Sequence, residues 1–160
     1  MDFDATDRRI LEILREDGRA SHAAIAKQVK LSAPAVGERI RKLEQSGVIR
    51  SFRAELGREA LGLSVTAFVW IVPQPRKPAK ALVERLSALE QVEQLHSVAG
   101  AYSYLLLVRV ANTHELDMFL DGLVMMEGVE RTETTMVLST PVDRPSRLPF
   151  RAEGDAQSTS

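Results

Sequence analysis

The 160-residue chain reads as an α+β protein in two parts. An amino-terminal helix-turn-helix unit, winged by a short following strand, precedes a carboxy-terminal ferredoxin-like sheet of order β-α-β-β-α-β. Three observations predict this. Apolar residues recur at helical spacing in three short stretches before residue 46, each bounded by cap and turn residues. After Gly62 the composition shifts to β-branched and aromatic residues. From there strand-like and helix-like stretches follow one another in the split-βαβ order.

Thr6 is placed to cap a first helix, with Asp7 at its positive end and Ile10, Leu11 and Leu14 on its buried face. Asp17-Gly18 ends it. Ser21 opens a second helix, whose inner face is Ile25, Ala26 and Val29, running to about Lys30. Ser32 or Ala33 caps the third, and Pro34 falls in its first turn, where a missing N–H does no harm. Val36, Ile40 and Leu43 form one apolar stripe, and Glu38, Arg39, Arg41 and Lys42 fall off it. Ser46-Gly47 stops this helix, with Gly47 supplying a left-handed position. A short helix with a small face near its start (Ala33, Ala35, Gly37) and a basic flank fits a DNA major groove.

Residues 48–56 alternate loosely and read as a short strand, and Gly57 and Gly62 punctuate a linker. Ser64–Val72 is a strand by composition, broken by Pro73, Pro75 and Pro78. Pro78 suits the start of a helix carrying Ala79, Leu82, Val83 and Leu86 on one face. Val92–Ala99 is a second strand, Gly100-Ala101 a tight turn and Tyr102–Val110 a third strand. Thr113 is placed to cap a helix with Leu116, Phe119, Leu120 and Leu123 at i, i+3, i+4, i+7; Gly128 ends it, and Val129–Ser139 is the fourth strand. The expected domains are 1–50 (helix-turn-helix), 51–63 (strand and linker), 64–140 (sheet) and 141–160, a polar and largely disordered tail.

Two helices cover one face of such a sheet. The other would alternate to polar if it met water. Instead Leu105, Leu106 and Leu107 are consecutive, and Val65–Val72 is apolar on both sides. A second copy of the chain is the simplest cover, which predicts a homodimer.

The net charge of −1 sums unlike parts. Residues 1–50 hold ten Lys/Arg against eight Asp/Glu, and residues 51–160 hold eleven against fourteen. The local field governs phosphate contact, and +2 is weak, so one copy alone should grip DNA poorly. No cysteine occurs, which excludes disulfides and thiolate metal sites. No apolar run approaches 18 residues, so no membrane span is expected. The acidic start shows no signal-peptide pattern, and the expected location is cytoplasmic.

In this order the segments resemble the Lrp/AsnC, or feast/famine, transcriptional regulators. TDRRILEILREDGRAS is similar to the opening helix and turn of that family, and IAKQVKLSAPAVGERIRKLEQSGVIRSFRAEL to its helix-turn-helix and connecting strand. ALGLSVTAFVWI, VAGAYSYLLLV and GVERTETTMVL resemble the entry, the effector-loop motif and the last strand of its ligand-sensing domain. The resemblance implies a transcriptional regulator acting as a dimer, often assembled into tetramers, octamers or larger rings. It implies binding to pseudo-palindromic operators in double-stranded DNA, and an amino acid or related small effector. By position it puts DNA contacts on Ser32, Ala33, Pro34, Ala35, Glu38, Arg39, Arg41 and Lys42. The effector site falls on Val98, Gly100, Tyr102, Ser103 and Tyr104, with Thr134 from the last strand. Serine stands at 103 where the family usually has a carboxylate, offering a hydrogen bond but no charge to an α-amino group.

Two competing readings are an enzyme similar to sirohaem decarboxylases, which resemble this family in both domains, and a sensing module that does not bind DNA. No catalytic residue, cofactor or metal site is expected. His22, His96 and His114 lack metal-ligand spacing, although His96 lies on a strand beside the proposed effector loop.

Overall fold

The structure is a computed structural model that describes residues 3–144. The expectation of disorder beyond residue 144 lies outside the described residues. The chain divides into two compact units, the second running from Leu56 to Val142 and the first holding the residues on either side of it.

The first unit holds three helices: α1 (Ala5–Glu16), α2 (His22–Val29) and α3 (Ala33–Gln45). Asp4, not Thr6, caps α1, its carboxylate accepting the Asp7 amide at 2.7 Å. The expected residue lies inside the first turn, and the aspartate two positions earlier closes the ring instead. Ser21 and Ser32 cap α2 and α3 in the same way, accepting from the amides of Ala24 (3.2 Å) and Ala35 (3.3 Å). Gly47 ends α3 at φ +74°, in the left-handed region. Ile10, Ile25, Val36, Ile40 and Leu43 interlock as the core.

No strand forms over residues 48–56, so the expected wing strand is absent. A strand exists only where its amides and carbonyls find a ladder. The alternation is there, but no neighbouring strand among the described residues pairs with it. Phe52 and Leu56 are exposed.

The second unit is β1 (Val65–Pro73), α4 (Ala79–Ser87), β2 (Val92–Ser97), β3 (Tyr104–Val110), α5 (Thr113–Met125) and β4 (Val129–Met136). Asn112, one residue earlier than expected, caps α5 by accepting the Glu115 amide at 2.9 Å. The strands pair antiparallel in the order β2-β3-β1-β4. The edges are therefore β2 and β4, each with a register shift against its neighbour, between Val92 and Gln94 and opposite Val72-Pro73.

Paired residues share a face, which sorts the sheet into two sides. Ala67, Val69, Ile71, Tyr104, Leu106, Val108 and Val110 pack with Leu82, Leu86, Leu116, Phe119 and Leu123 of the helices. Phe68 and Trp70, opposite Leu107 and Leu105, point to the other side, which neither helix covers. An Arg109–Glu93 ion pair (2.6 Å) and the side chains of Arg131 and Glu133 border this apolar strip. Leu106 is fully buried, and truncation to alanine should cost about 2–5 kcal/mol of stability, read from a denaturant midpoint shift at constant m-value.

Candidate nucleic-acid interface and effector site

The α2-turn-α3 pair is set by a few local choices. Lys30 adopts the left-handed conformation (φ 55°) at the end of α2, and Ser32 restarts the chain two residues later. The two helices meet closely at Gly37. A Cβ there would lie 3.1 Å from His22 Nδ1, so only glycine fits without moving the ring. With Val36, Ile40 and Leu43 committed to the core, the outer side of α3 shows Pro34, Glu38, Arg41 and Lys42.

The charges on α3 are not equivalent. Arg41 binds Glu38 in a fork, Nε to Oε2 at 2.9 Å and Nη2 to Oε1 at 2.6 Å. That hydrogen bonding holds the Glu38 carboxyl below its ordinary range and raises Arg41. Both are exposed, so the pair adds little to stability. Arg39 turns back to α1, with Nη1 2.7 Å from both Asp4 Oδ2 and Asp7 Oδ1. The Asp7 amide, and then Arg39, hold the Asp4 carboxyl below the usual carboxylate value. Ser32, Ala33 and Ala35 lie at the amino-terminal end of the same helix. The eight expected DNA-contact residues thus sit on one element, but Arg39 is held toward the body of the unit.

In the second unit the loop between β2 and β3 is held by one backbone bond across it and one to β1. The Val98 amide donates to Ser103 O (2.9 Å), and the Ser103 amide donates to Ile71 O (3.0 Å). Gly100 at the tip has φ +147°. Tyr102 leaves this loop onto the face that neither helix covers. Its ring lies 5.4 Å from Trp70 at 42°, and the Arg131 guanidinium stands 5.3 Å from the ring centre. Its hydroxyl donates to Glu133, which raises the phenol above its ordinary value.

The expected effector residues therefore divide. Val98, Gly100, Tyr102 and Ser103 share the loop. Tyr104 is buried in the core. Thr134, opposite Val69, lies on the helix-covered side. Trp70, Arg131 and Glu133 join Tyr102 instead, and sequence reasoning missed them. The alternation of β4 separates Arg131 and Glu133 from Thr132 and Thr134, which was a usable signal. Their meeting with Tyr102 depends on strand register. His96 is exposed on β2, its Nε2 3.0 Å from Gln94 Oε1. Among the described residues no group of three or more His, Asp or Glu side chains could hold a metal ion. No helix there is long and apolar enough to cross a membrane.

Comparison with known proteins matches both units. An AsnC-type helix-turn-helix domain matches residues 3–44, and an Lrp/AsnC ligand binding domain matches residues 66–147. The HTH-type transcriptional regulator LrpA of Mycobacterium tuberculosis is 41% identical over 139 residues, 86% of this chain and 91% of that protein. A feast or famine regulatory protein from M. tuberculosis, solved in complex with L-methionine, superposes with a TM-score of 0.85 at 38% identity, over 92% of this chain and 100% of that one. A transcriptional regulator from Neisseria meningitidis, also solved with L-methionine, gives 0.86 at 26% identity, over 92% of this chain and 97% of its own. With both domains matched in order and a relative of this identity along most of its length, the chain belongs to the Lrp/AsnC family of helix-turn-helix transcriptional regulators.

Proposed function

We propose that this regulator works as a homodimer, or a tetramer or octamer built from dimers, which grips a pseudo-palindromic operator with two copies of α3 and answers to an amino acid or related small effector. The observation that carries the reading is α3 itself. It is capped, locked onto its core by three buried residues, and turns Glu38, Arg41 and Lys42 outward beside the small residues of its first turn. Ser32, Ala33, Pro34, Ala35, Glu38, Arg41 and Lys42 form the DNA face. Arg41 and Lys42 neutralise phosphate, and base contacts come from the amino-terminal half of the helix. Residues 1–50 carry this work, 51–63 connect, and 64–140 dimerise and sense. The reading needs no catalysis, and it places the protein in the cytoplasm with the DNA.

The homodimer reading is supported by the side of the sheet that neither helix covers. Burying several hundred Å² of it per copy would stabilise by roughly 10 kcal/mol before association costs, at ~25 cal/mol/Å². Footprinting on the protein's own promoter tests the DNA reading. Two protected patches about one helical turn apart are expected. Featureless protection up to saturating protein would refute it.

The effector is assigned to the loop of Val98, Gly100, Tyr102 and Ser103, supported by the two relatives solved with L-methionine. Ser103 brings a hydroxyl where a carboxylate would pair with an α-amino group, a difference of about 1 kcal/mol or more. Calorimetry across the twenty amino acids should therefore find weak binding at best, and Ser103→Asp should tighten the best ligand about tenfold. Tight, stereospecific binding to the native protein, unimproved by the substitution, would show that Ser103 is not the deciding position.

A further inference from the structure

We infer that Arg39 is a positioning residue: its guanidinium bridges Asp4 and Asp7 and pins α3 to the amino-terminal turn of α1, and it carries no charge to the DNA backbone. This rests on the DNA-binding reading above and assigns Arg39 a different task from Arg41 and Lys42.

One Nη1 lies 2.7 Å from a carboxylate oxygen of each aspartate. Both acceptors are themselves held in place. The second oxygen of Asp4 caps α1 by accepting the Asp7 amide, and Asp7 belongs to the first turn of that helix with its side chain 21% exposed. The Arg39 side chain is 33% exposed, against 54% for Arg41. At about 100° per residue, Val36, Ile40 and Leu43 mark the centre of the buried side, and Arg39 falls only about 70° from it. Glu38, Arg41 and Lys42 all fall more than about 120° away. The side chain of Arg39 therefore leaves α3 along the seam with α1.

Charge points the same way. One guanidinium between two carboxylates leaves a local charge of −1, which repels phosphate. Drawing Arg39 out to DNA would strip both aspartates of their partner and leave them facing an anion. The upward shift of Arg39, caused by Asp7 and then Asp4, agrees with a charge committed inside the fold.

The test uses the full-length protein and a random-sequence DNA duplex, with affinity measured by fluorescence anisotropy across a salt series, and hydrogen exchange at the α3 amides. Arg39→Met should leave the slope of log K against log salt unchanged. Arg41→Met and Lys42→Met should each lower its magnitude by about 0.9 for every phosphate that the variant no longer neutralises. Arg39→Met should also speed amide exchange in α3 about tenfold, with Arg39→Lys between it and the native protein. Asp7→Asn, although it removes a negative charge, should not tighten binding.

A fall in slope for Arg39→Met equal to that for Lys42→Met overturns the inference. So does tighter binding by Asp7→Asn, which would make the carboxylates a mask over a DNA-contacting arginine. If the native protein fails to bind the duplex, the DNA reading falls by itself. Exchange then decides the tie alone, and an unchanged rate in Arg39→Met overturns it.

Discussion

Phe68→Glu should convert the proposed homodimer into a folded monomer. Phe68 sits mid-way along the central strand β1, opposite Leu107 on one neighbour and Thr135 on the other, on the side that neither helix covers. It is 37% exposed in the single chain and lies outside the core cluster, so the substitution leaves the packing of Leu106, Val69 and their neighbours untouched. In a two-fold dimer every contact occurs twice. Two unpaired carboxylates would then be buried in an apolar interface, each at a cost of several kcal/mol. A dissociation constant raised at least about a thousandfold is expected, since that needs only about 4 kcal/mol. Sedimentation at micromolar concentration, beside an unchanged thermal transition, reads this directly. A variant that still sediments as the native assembly would show that this face is not where copies meet.

The second large effect is expected at the DNA. Reversing Arg41 and Lys42 together to glutamate would set carboxylates at positions 38, 41 and 42 along the outer side of α3. Both wild-type side chains are exposed and neither contributes to the core, so the unit should fold as before. On the proposed DNA face each copy would lose two phosphate partners and gain two repelling charges. Affinity for promoter DNA should fall at least about a hundredfold, more at low salt than at high, because repulsion is screened as ions are added. The sedimentation of the protein should not change. Retained binding with the native salt dependence would move the DNA contact to another element.

Much of this was open to reading in the residues. The three apolar stripes of the first fifty residues correspond to α1, α2 and α3, and Ser21 and Ser32 cap the helices expected of them. Leu105-Leu106-Leu107 announced a strand apolar on both sides, and the structure places Leu106 in the core under the helices and Leu105 and Leu107 on the face that neither helix covers. What was illegible depends on partners distant in the chain. The stretch 48–56 has the period of a strand, but period does not supply a neighbour. Two helix starts were misplaced by one or two residues because several small polar residues stood together, and only backbone angles distinguish the cap from its neighbour. Arg39 looks like Arg41 and Lys42 in sequence. Its commitment to Asp4 and Asp7 spans more than thirty positions and exists only once α1 and α3 are packed. The company of Tyr102 was hidden for the same reason, since the meeting with Glu133 is decided by how β1 pairs with β4.

The two edge strands bear on how the protein avoids unwanted aggregation. β2 is six residues long and carries Glu93, Gln94 and His96, while β4 reads VERTETTM, with a charged or hydroxyl side chain at six of its eight positions. Each is interrupted by a register shift. Short, irregular and charged strands are poor templates for another strand. Pairing through these rims is thus disfavoured, while the side of the sheet that neither helix covers keeps Phe68 and Trp70 of the central strand. Growth of an open-ended fibre, strand added to strand, is discouraged at both rims.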